Sequence, residues 1–405
     1  MARAARLTEW LSVGILSFLC GAVVPALIAV YLMPSFGGDP VTLKKVDYVN
    51  LVGWNEDLHG ETISALRKSC EILVRKNPDE TLGPNAIGGY VRDWMQPCLA
   101  VKKVDEQDHI EAKAFFELWF VPFLVSSKGR ETGLFTGYYE PTLDGSYTHD
   151  HEFSIPLYAK PANLISINLG EFNADLVGER IAGHIVDGKL KPFATRGEIE
   201  AGALEGRGLE LLWVNDPIDA FFLHIQGSGR VVLRDGQSIR VGYDGQNGHS
   251  YKSIGMELVR RGVLMRKDVT MQSIRNWLEA NPEQHSDIFK TNESFIFFRE
   301  QMGEGPIGAQ NVALTPQRSL AVDLRHMPLG VPIWIDIEVP RLNEGDTEWR
   351  RLMVTQDTGG AIRGVVRGDV FWGAGAAAAD IAGRMKHSGR YYLLLPLGVR
   401  EDVRH

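Results

Sequence analysis

QDTGGAIRGVVRGDVFWG, residues 356–373, packs two aspartates, five glycines and two arginines into eighteen positions. The run is too rich in glycine to favour a helix and too charged for a core strand. From the residues alone three readings stay open. Asp357 and Asp369 are turn residues, as aspartate beside glycine often is; or they are ligands in a metal loop; or they line a catalytic pocket. In that last case the glycines let a large substrate come close to the backbone. Asp323, in LAVDLRHMPLG, adds a third carboxylate fewer than fifty residues away. Trp372 beside Asp369 is a candidate to stack on a sugar ring or to lower the local dielectric. Desolvation raises a carboxyl pKa, which a general acid working near neutral pH requires.

Other chemistries find little support. Gly227-Ser228-Gly229 follows an apolar run, but no P-loop lysine or helix-forming stretch follows it, so it reads as a bend or bulge in a sheet. His149-Asp150-His151 sits in a polar loop whose alternate residues face opposite ways, and neither an HExxH nor an EF-hand loop occurs. No metal and no cofactor are expected. A nucleophilic serine would need a GxSxG elbow, which is absent.

With 405 residues, 44% hydrophobic and 23% charged, the chain has the composition of a folded protein long enough for more than one domain. A net charge of −8 argues against nucleic acid as the partner. Residues 10–33 carry no charge and follow Arg3 and Arg6. That length suits an uncleaved transmembrane anchor over residues 10–33, with residues 1–9 cytoplasmic. The alternatives are a lipoprotein signal acylated at Cys20, which the bulky Leu19 disfavours, and a signal cleaved near Ala22 or Ala26. Beyond this segment only Cys70 and Cys98 remain, a candidate disulfide in an oxidising compartment.

Residues 34–46 read as a linker. Helical spacing or capping predicts helices over 57–76, 110–120, 250–261, 269–280 and 374–387. Strand-like segments fall at 133–139, 209–214, 221–234, 331–339, 350–356 and 391–396. Strands in irregular order without βαβ alternation predict barrels or an α+β architecture, mainly β with inserted helices.

QDTGGAIRG…RGDVFWG resembles the "3D" domain, a double-psi β-barrel named for three aspartates. The likeness continues through SLAVDLRHMPLGVPIWI, FTGYYEP (135–141), residues 195–231 and VGYDGQNGHSYKSIG (241–255). Together these blocks resemble the membrane-bound lytic murein transglycosylase A family over roughly residues 45 to 400. The resemblance implies a double-psi barrel built from residues 47–140 and 301–405, a smaller β-barrel inserted at 141–300, and a groove between them for a glycan strand. It implies cleavage of peptidoglycan between N-acetylmuramic acid and N-acetylglucosamine, leaving 1,6-anhydromuramic acid ends. Asp369 matches the family's single acid and base, with Asp357 and Asp323 in supporting roles. Thr136 matches a threonine near the acid, and Tyr138, Gln226 and Ser228 are candidate sugar contacts. For Asp369 to serve as the acid, Arg363 and Arg367 must point elsewhere. The expected address is the periplasmic face of a Gram-negative cell, on the inner membrane through the N-terminal helix or, alternatively, on the outer membrane as a lipoprotein. Peptidoglycan is the expected partner. The rival functions are a muramidase on the same fold and a non-catalytic, expansin-like glycan binder.

Overall fold

The computed structural model describes residues 40–173, 176, 179–303, 305–340 and 345–399. The expected anchor at 10–33, and the Cys20 and cleavage alternatives to it, lie outside these residues. Among the described residues no helix is long and apolar enough to cross a membrane.

The first strands, β1 (Thr42–Lys45) and β2 (Phe120–Ser126), pair antiparallel. Between them run three helices, Gly60–Leu73, Val91–Ala100 and His109–Trp119. The first follows from its spacing: Ile63, Leu66, Cys70 and Leu73 fall on one face and are all buried. The third starts where Asp108 accepts the backbone N–H groups of Ile110 and Glu111. The second lies outside the helices that the sequence predicts. It forms because the Asp93 carboxylate accepts the Tyr90 N–H at 2.8 Å, while Trp94 and Cys98 face the core. Cys70 and Cys98 are joined as a disulfide between the first two helices. β3 (Gly133–Glu140) follows.

Only Pro141 separates β3 from the inserted region. That region contains β4 (Thr142–Ser146), β5 (Ile155–Tyr158), a small sheet of β6 (Ile165–Asn168), β7 (Arg180–Val186) and β8 (Lys189–Lys191), then β9 (Glu210–Val214), β10 (Ser228–Leu233), β11 (Ser238–Gln246) and β12 (Ile296–Gln301). A 6-stranded sheet runs in the order β12-β11-β10-β4-β9-β5, and a bridge between Ala159 and Phe298 joins its ends into a barrel. Leu157, Leu212, Val231, Val241 and Phe298 fill it.

The strand expected over 221–234 is corrected here: its first half is helical, within Pro217–Gln226, and only the second half is β10. Asp216 accepts the N–H groups of Ile218 and Asp219, and Pro217 occupies the first turn. Ile218, Phe221 and Phe222 then bury a helical face. Gly227, with φ 78°, ends the helix. The Gly-Ser-Gly run is therefore a helix cap leading into a strand, not a bulge.

Residues after the insert supply β13 (Ser319–Ala321), β14 (Pro332–Pro340), β15 (Asp346–Asp357), β16 (Arg367–Ala374) and β17 (Lys386–Pro396). They are hydrogen-bonded in the order β17-β14-β15-β13-β16-β3. β3 also pairs with β17, so the ring closes. Parallel pairs β13–β15 and β16–β3 mixed with antiparallel ones give the double-psi barrel. A buried pair knits the N-terminal helices to it: Arg318 donates to both Asp57 oxygens at 2.8 and 3.0 Å. The Leu352 N–H donates to the same carboxylate. At the crossing between barrels, buried Glu140 accepts from Arg230 and Arg240 of the inserted barrel at 2.8 and 2.7 Å.

The disulfide spans 28 residues of sequence, and a loop of that length restricts the unfolded chain by about 3–4 kcal/mol. The double substitution Cys70→Ala/Cys98→Ala is expected to lower the unfolding free energy by that amount in urea titrations. No change on removing the pair would contradict the bridge.

Candidate active site

Alternation along two neighbouring strands builds the site. On β3, Phe135 points into the core, and a side-chain carbon on Gly137 would lie 2.6 Å from Trp372 Nε1. Thr136, Tyr138 and Glu140 therefore share the opposite face. On β16, Val370 and Trp372 enter the core, so Arg367, Asp369 and Phe371 face the other way. Asp369 lies opposite Thr136 in the parallel register, and the rings of Tyr138 and Phe371 approach to 5.3 Å.

β13 brings in the second acid. Ala321 is in register with Asp357 on one side and with Asp369 on the other. The two aspartates are thus two strands apart, roughly 10 Å between Cα atoms, with only a methyl group between them. The inserted barrel reaches this surface as well: a side-chain carbon on Gly360 would sit 3.8 Å from Tyr251 Cβ.

The three aspartates occupy different environments. Asp369 is part-exposed, yet enough protein surrounds its carboxyl that burial raises its pKa; nearby Arg367 and a hydrogen bond from Thr136 oppose this only in part. Thr136 Oγ1 donates to Asp369 Oδ1. Asp357 is pushed up to about 6 by burial, with hydrogen bonds resisting and Asp369 adding to the rise. Both of its oxygens are engaged. Oδ1 accepts the N–H groups of Ala309 and Thr358 at 2.9 Å each, and Oδ2 accepts the Tyr138 hydroxyl at 2.8 Å. Burial and that carboxylate push the Tyr138 phenol well up.

Asp323 behaves in the opposite way. Burial alone would raise it, but Arg325 and the backbone N–H groups of Gly364 and Arg325 hold it below the ordinary carboxylate range. Its side chain is fully buried against Arg325 at 2.7 Å. It is a charged anchor for the loop that carries Gly364, whose N–H donates to it at 2.8 Å. Gly364 has φ +123°, a conformation that L side chains rarely adopt.

Of the residues singled out by sequence, Asp369, Asp357, Thr136 and Tyr138 come together. Gln226 lies beside them, its Oε1 accepting the Tyr139 N–H at 3.0 Å. Ser228 starts β10, paired with Gly242, and among the described residues no hydrogen bond links its hydroxyl to the acids. Trp372 is a correction. Three positions from Asp369, it faces the other side of the strand, its ring 5.1 Å from Trp349 and its Nε1 donating to Met385 Sδ at 3.3 Å. With 8% of its surface exposed, it is not a platform for a sugar.

The arginines divide. Arg363 points to Asp323, 3.8 Å away. Arg367 does not point elsewhere: its Nη2 donates to Thr136 Oγ1 at 2.7 Å. Asp369 nevertheless keeps a raised pKa. Sequence reasoning missed this contact, as it missed the Ala309 N–H and the Tyr138 hydroxyl on Asp357. An alternating strand over RGDVF would have signalled the first, because it places Arg367 and Asp369 on one face.

Asp357 yields a stability test. Its folded pKa of about 6 lies above the ordinary aspartate value of 3.8, so the folded state holds the proton more tightly than the unfolded chain. The resulting stability is present at low pH and is lost as pH rises from about 4 to about 6. Asp357→Asn, whose amide oxygen can still accept the Ala309 and Thr358 N–H groups and whose NH2 can donate to the Tyr138 oxygen, is expected to be more stable than the parent at pH 7 by about 3 kcal/mol. Urea unfolding at several pH values measures this; equal stability at pH 7 would contradict it.

A family model described as the MltA specific insert domain matches residues 134–299, and one described as the 3D domain matches residues 318–395. The membrane-bound lytic murein transglycosylase A of Vibrio cholerae serotype O1 is 34% identical over 268 residues, which are 64% of this chain and 65% of that protein. The chain thus spans about two thirds, 65%, of the length of this curated relative. The crystal structure of a membrane-bound lytic murein transglycosylase from Agrobacterium tumefaciens superposes with a TM-score of 0.76 at 33% identity, covering 88% of this chain and 98% of that one. E. coli MltA with bound chitohexaose gives 0.62 at 27% identity, covering 89% and 96%. With both domain models matched in order and one solved relative covered almost end to end at a third identity, the chain belongs to the membrane-bound lytic murein transglycosylase A family.

Proposed function

We propose that the chain is a peptidoglycan lytic transglycosylase. It cleaves the β-1,4 bond between N-acetylmuramic acid and N-acetylglucosamine, with Asp369 as the only acid and base. The observation that carries this reading is the state of Asp369: part-exposed on the face shared by β3 and β16, with its pKa raised by burial. Among the described residues no ion pair neutralises it. A glycan binder would have no use for a carboxyl whose pKa is raised there.

One carboxyl suffices if the substrate supplies the nucleophile. Asp369 donates its proton to the glycosidic oxygen as the C1–O bond breaks, and N-acetylglucosamine leaves as the alcohol. The C6 hydroxyl of the muramoyl residue forms the new bond to C1 and gives its proton to the Asp369 carboxylate. The acid is restored and no water is consumed. A hydrolase on this fold would need a second carboxylate free to activate water. Asp357, the neighbouring acid, has both oxygens held by Tyr138, Ala309 and Thr358, which favours a supporting role. Thr136 and Tyr138 orient the two acids, and Asp323 fixes the loop before β16.

Bound chitohexaose in the E. coli relative supports a β-1,4-linked glycan in the groove between the barrels. Gln226 and Ser228 lie on the inserted barrel's side of that groove. The word "membrane-bound" in the relatives' names agrees with attachment through residues 10–33 and a periplasmic catalytic region. An inner-membrane anchor is the favoured form of that attachment.

Digestion of purified murein by the full-length chain in detergent, followed by mass spectrometry, tests the proposal. Products lighter by one water are expected, and Asp369→Asn is expected to lower the rate by at least about 10²–10⁴-fold. Products retaining that water would identify a muramidase. No cleavage by the parent chain would leave a binder.

A further inference from the structure

Arg367 stands out once the acids are placed. Its side chain is buried, with 6% exposed, yet among the described residues no carboxylate lies within ion-pair distance of it. Burying a guanidinium without a partner carries a desolvation cost. The groups that hold it are neutral. Nη1 donates to the carbonyl oxygens of Gly368 and, at 3.4 Å, Leu134, and Nη2 donates to Thr136 Oγ1 at 2.7 Å. Both carbonyls belong to the paired strands β16 and β3, so the guanidinium is locked to the sheet.

We propose that Arg367 is a positioning residue for Asp369: it orients the Thr136 hydroxyl so that Asp369 carries its catalytic proton on Oδ2. This rests on the reading of Asp369 as the acid. The logic is one of donors and acceptors. Arginine can only donate, whereas a hydroxyl has one proton and two lone pairs. The 2.7 Å contact occupies a lone pair of Thr136, so the hydroxyl proton must point elsewhere. Its partner is Asp369 Oδ1. An oxygen that accepts this bond is the poorer place for the acid proton. Oδ2, which has no hydrogen-bond partner among the described residues, is left to hold it and to meet the substrate.

The relay also acts in the second half of the reaction. As Asp369 gives up its proton, the Thr136 proton and the guanidinium behind it stabilise the carboxylate that forms; Oδ2 stays open to take the proton of the attacking hydroxyl. The groups facing Asp369 are Arg367 on its own strand, Thr136 and Tyr138 on β3, Asp357 on β15 and, opposite Thr136 on the other edge of β3, Lys386 of β17. Of the two cations, Arg367 is the one that lowers the Asp369 pKa. It opposes the rise in the Asp369 pKa, and its removal moves that pKa further up.

A double-substitution cycle tests this on purified murein, with kcat, KM and the pH dependence of kcat measured for each chain. Arg367→Met is expected to lower kcat by about 10- to 100-fold while KM changes less than about 2-fold, and to move the alkaline fall of kcat to higher pH. Thr136→Val is expected to give a similar loss, and Thr136→Ser to retain activity. The pair Arg367→Met/Thr136→Val is expected to be no slower than the worse single variant, because both break one relay. Multiplicative losses, or an unmoved pH profile in Arg367→Met, would overturn the proposal. Should Arg367→Met fail to fold, Arg367→Lys and the two Thr136 variants still decide it: Arg367→Lys keeps the charge and one donor and is expected to retain most of kcat. Asp369→Asn measured alongside separates the two levels. An active Asp369→Asn removes the acid assignment itself, whereas an inactive one with multiplicative losses elsewhere removes only the role of Arg367.

Discussion

Strand β3 is held on both edges, by β16 and by β17, and the double-psi barrel closes only through it. That double pairing brings Thr136 against Asp369 across 233 residues of sequence. It also aims Tyr138 at Asp357 and sets where the inserted barrel begins, one residue beyond β3. Its register is fixed sterically. A side-chain carbon on Gly368 would come within 2.8 Å of the Phe135 ring, and one on Gly137 would strike Trp372. A slip by one position would turn Thr136 and Tyr138 into the core and expose Phe135. The fold and the site therefore depend on the same strand.

From that frame the electrostatics follow. Three aspartates in one short region have three fates because their surroundings differ. Asp323 has an arginine and two backbone N–H groups, and stays charged. Asp357 is buried against neutral donors, and titrates near neutrality. Asp369 has one hydroxyl, an arginine behind it and an open face. Only the last combines a raised pKa with an oxygen free for substrate. Glu140, paired with Arg230 and Arg240, holds the inserted barrel at the end of the same strand, so that barrel and Asp369 share one support.

Much of this was legible in the residues. FTGYYEP and QDTGGAIRG…RGDVFWG carried the family and the fold, and the two-cysteine count carried the disulfide. What escaped did so for physical reasons. The piece rich in glycine and charge hides β16, since a strand edged by Arg367 and Asp369 has no apolar alternation on its outer face. Without that strand, Trp372 looked like a neighbour of Asp369 instead of a core residue on the far side. The helix Pro217–Gln226 was hidden by the apolar Phe221-Phe222-Leu223 at the head of the run read as a strand, although Asp216-Pro217 and Gly227 marked its ends. Alternation over RGDVF puts Arg367 on the face of Asp369, but its contact with Thr136 joins distant segments.

The most direct test of the central claim is a crystal structure of the Asp369→Asn chain bound to a muramoyl glycan. The arrangement predicts the scissile oxygen about 3 Å from the side chain at position 369, on the side away from Thr136. The muramoyl C6 hydroxyl should lie on the path to C1, with no other carboxylate in reach of either. A scissile bond lying instead against Asp357, or with a second carboxylate and an ordered water across the sugar ring, would contradict it.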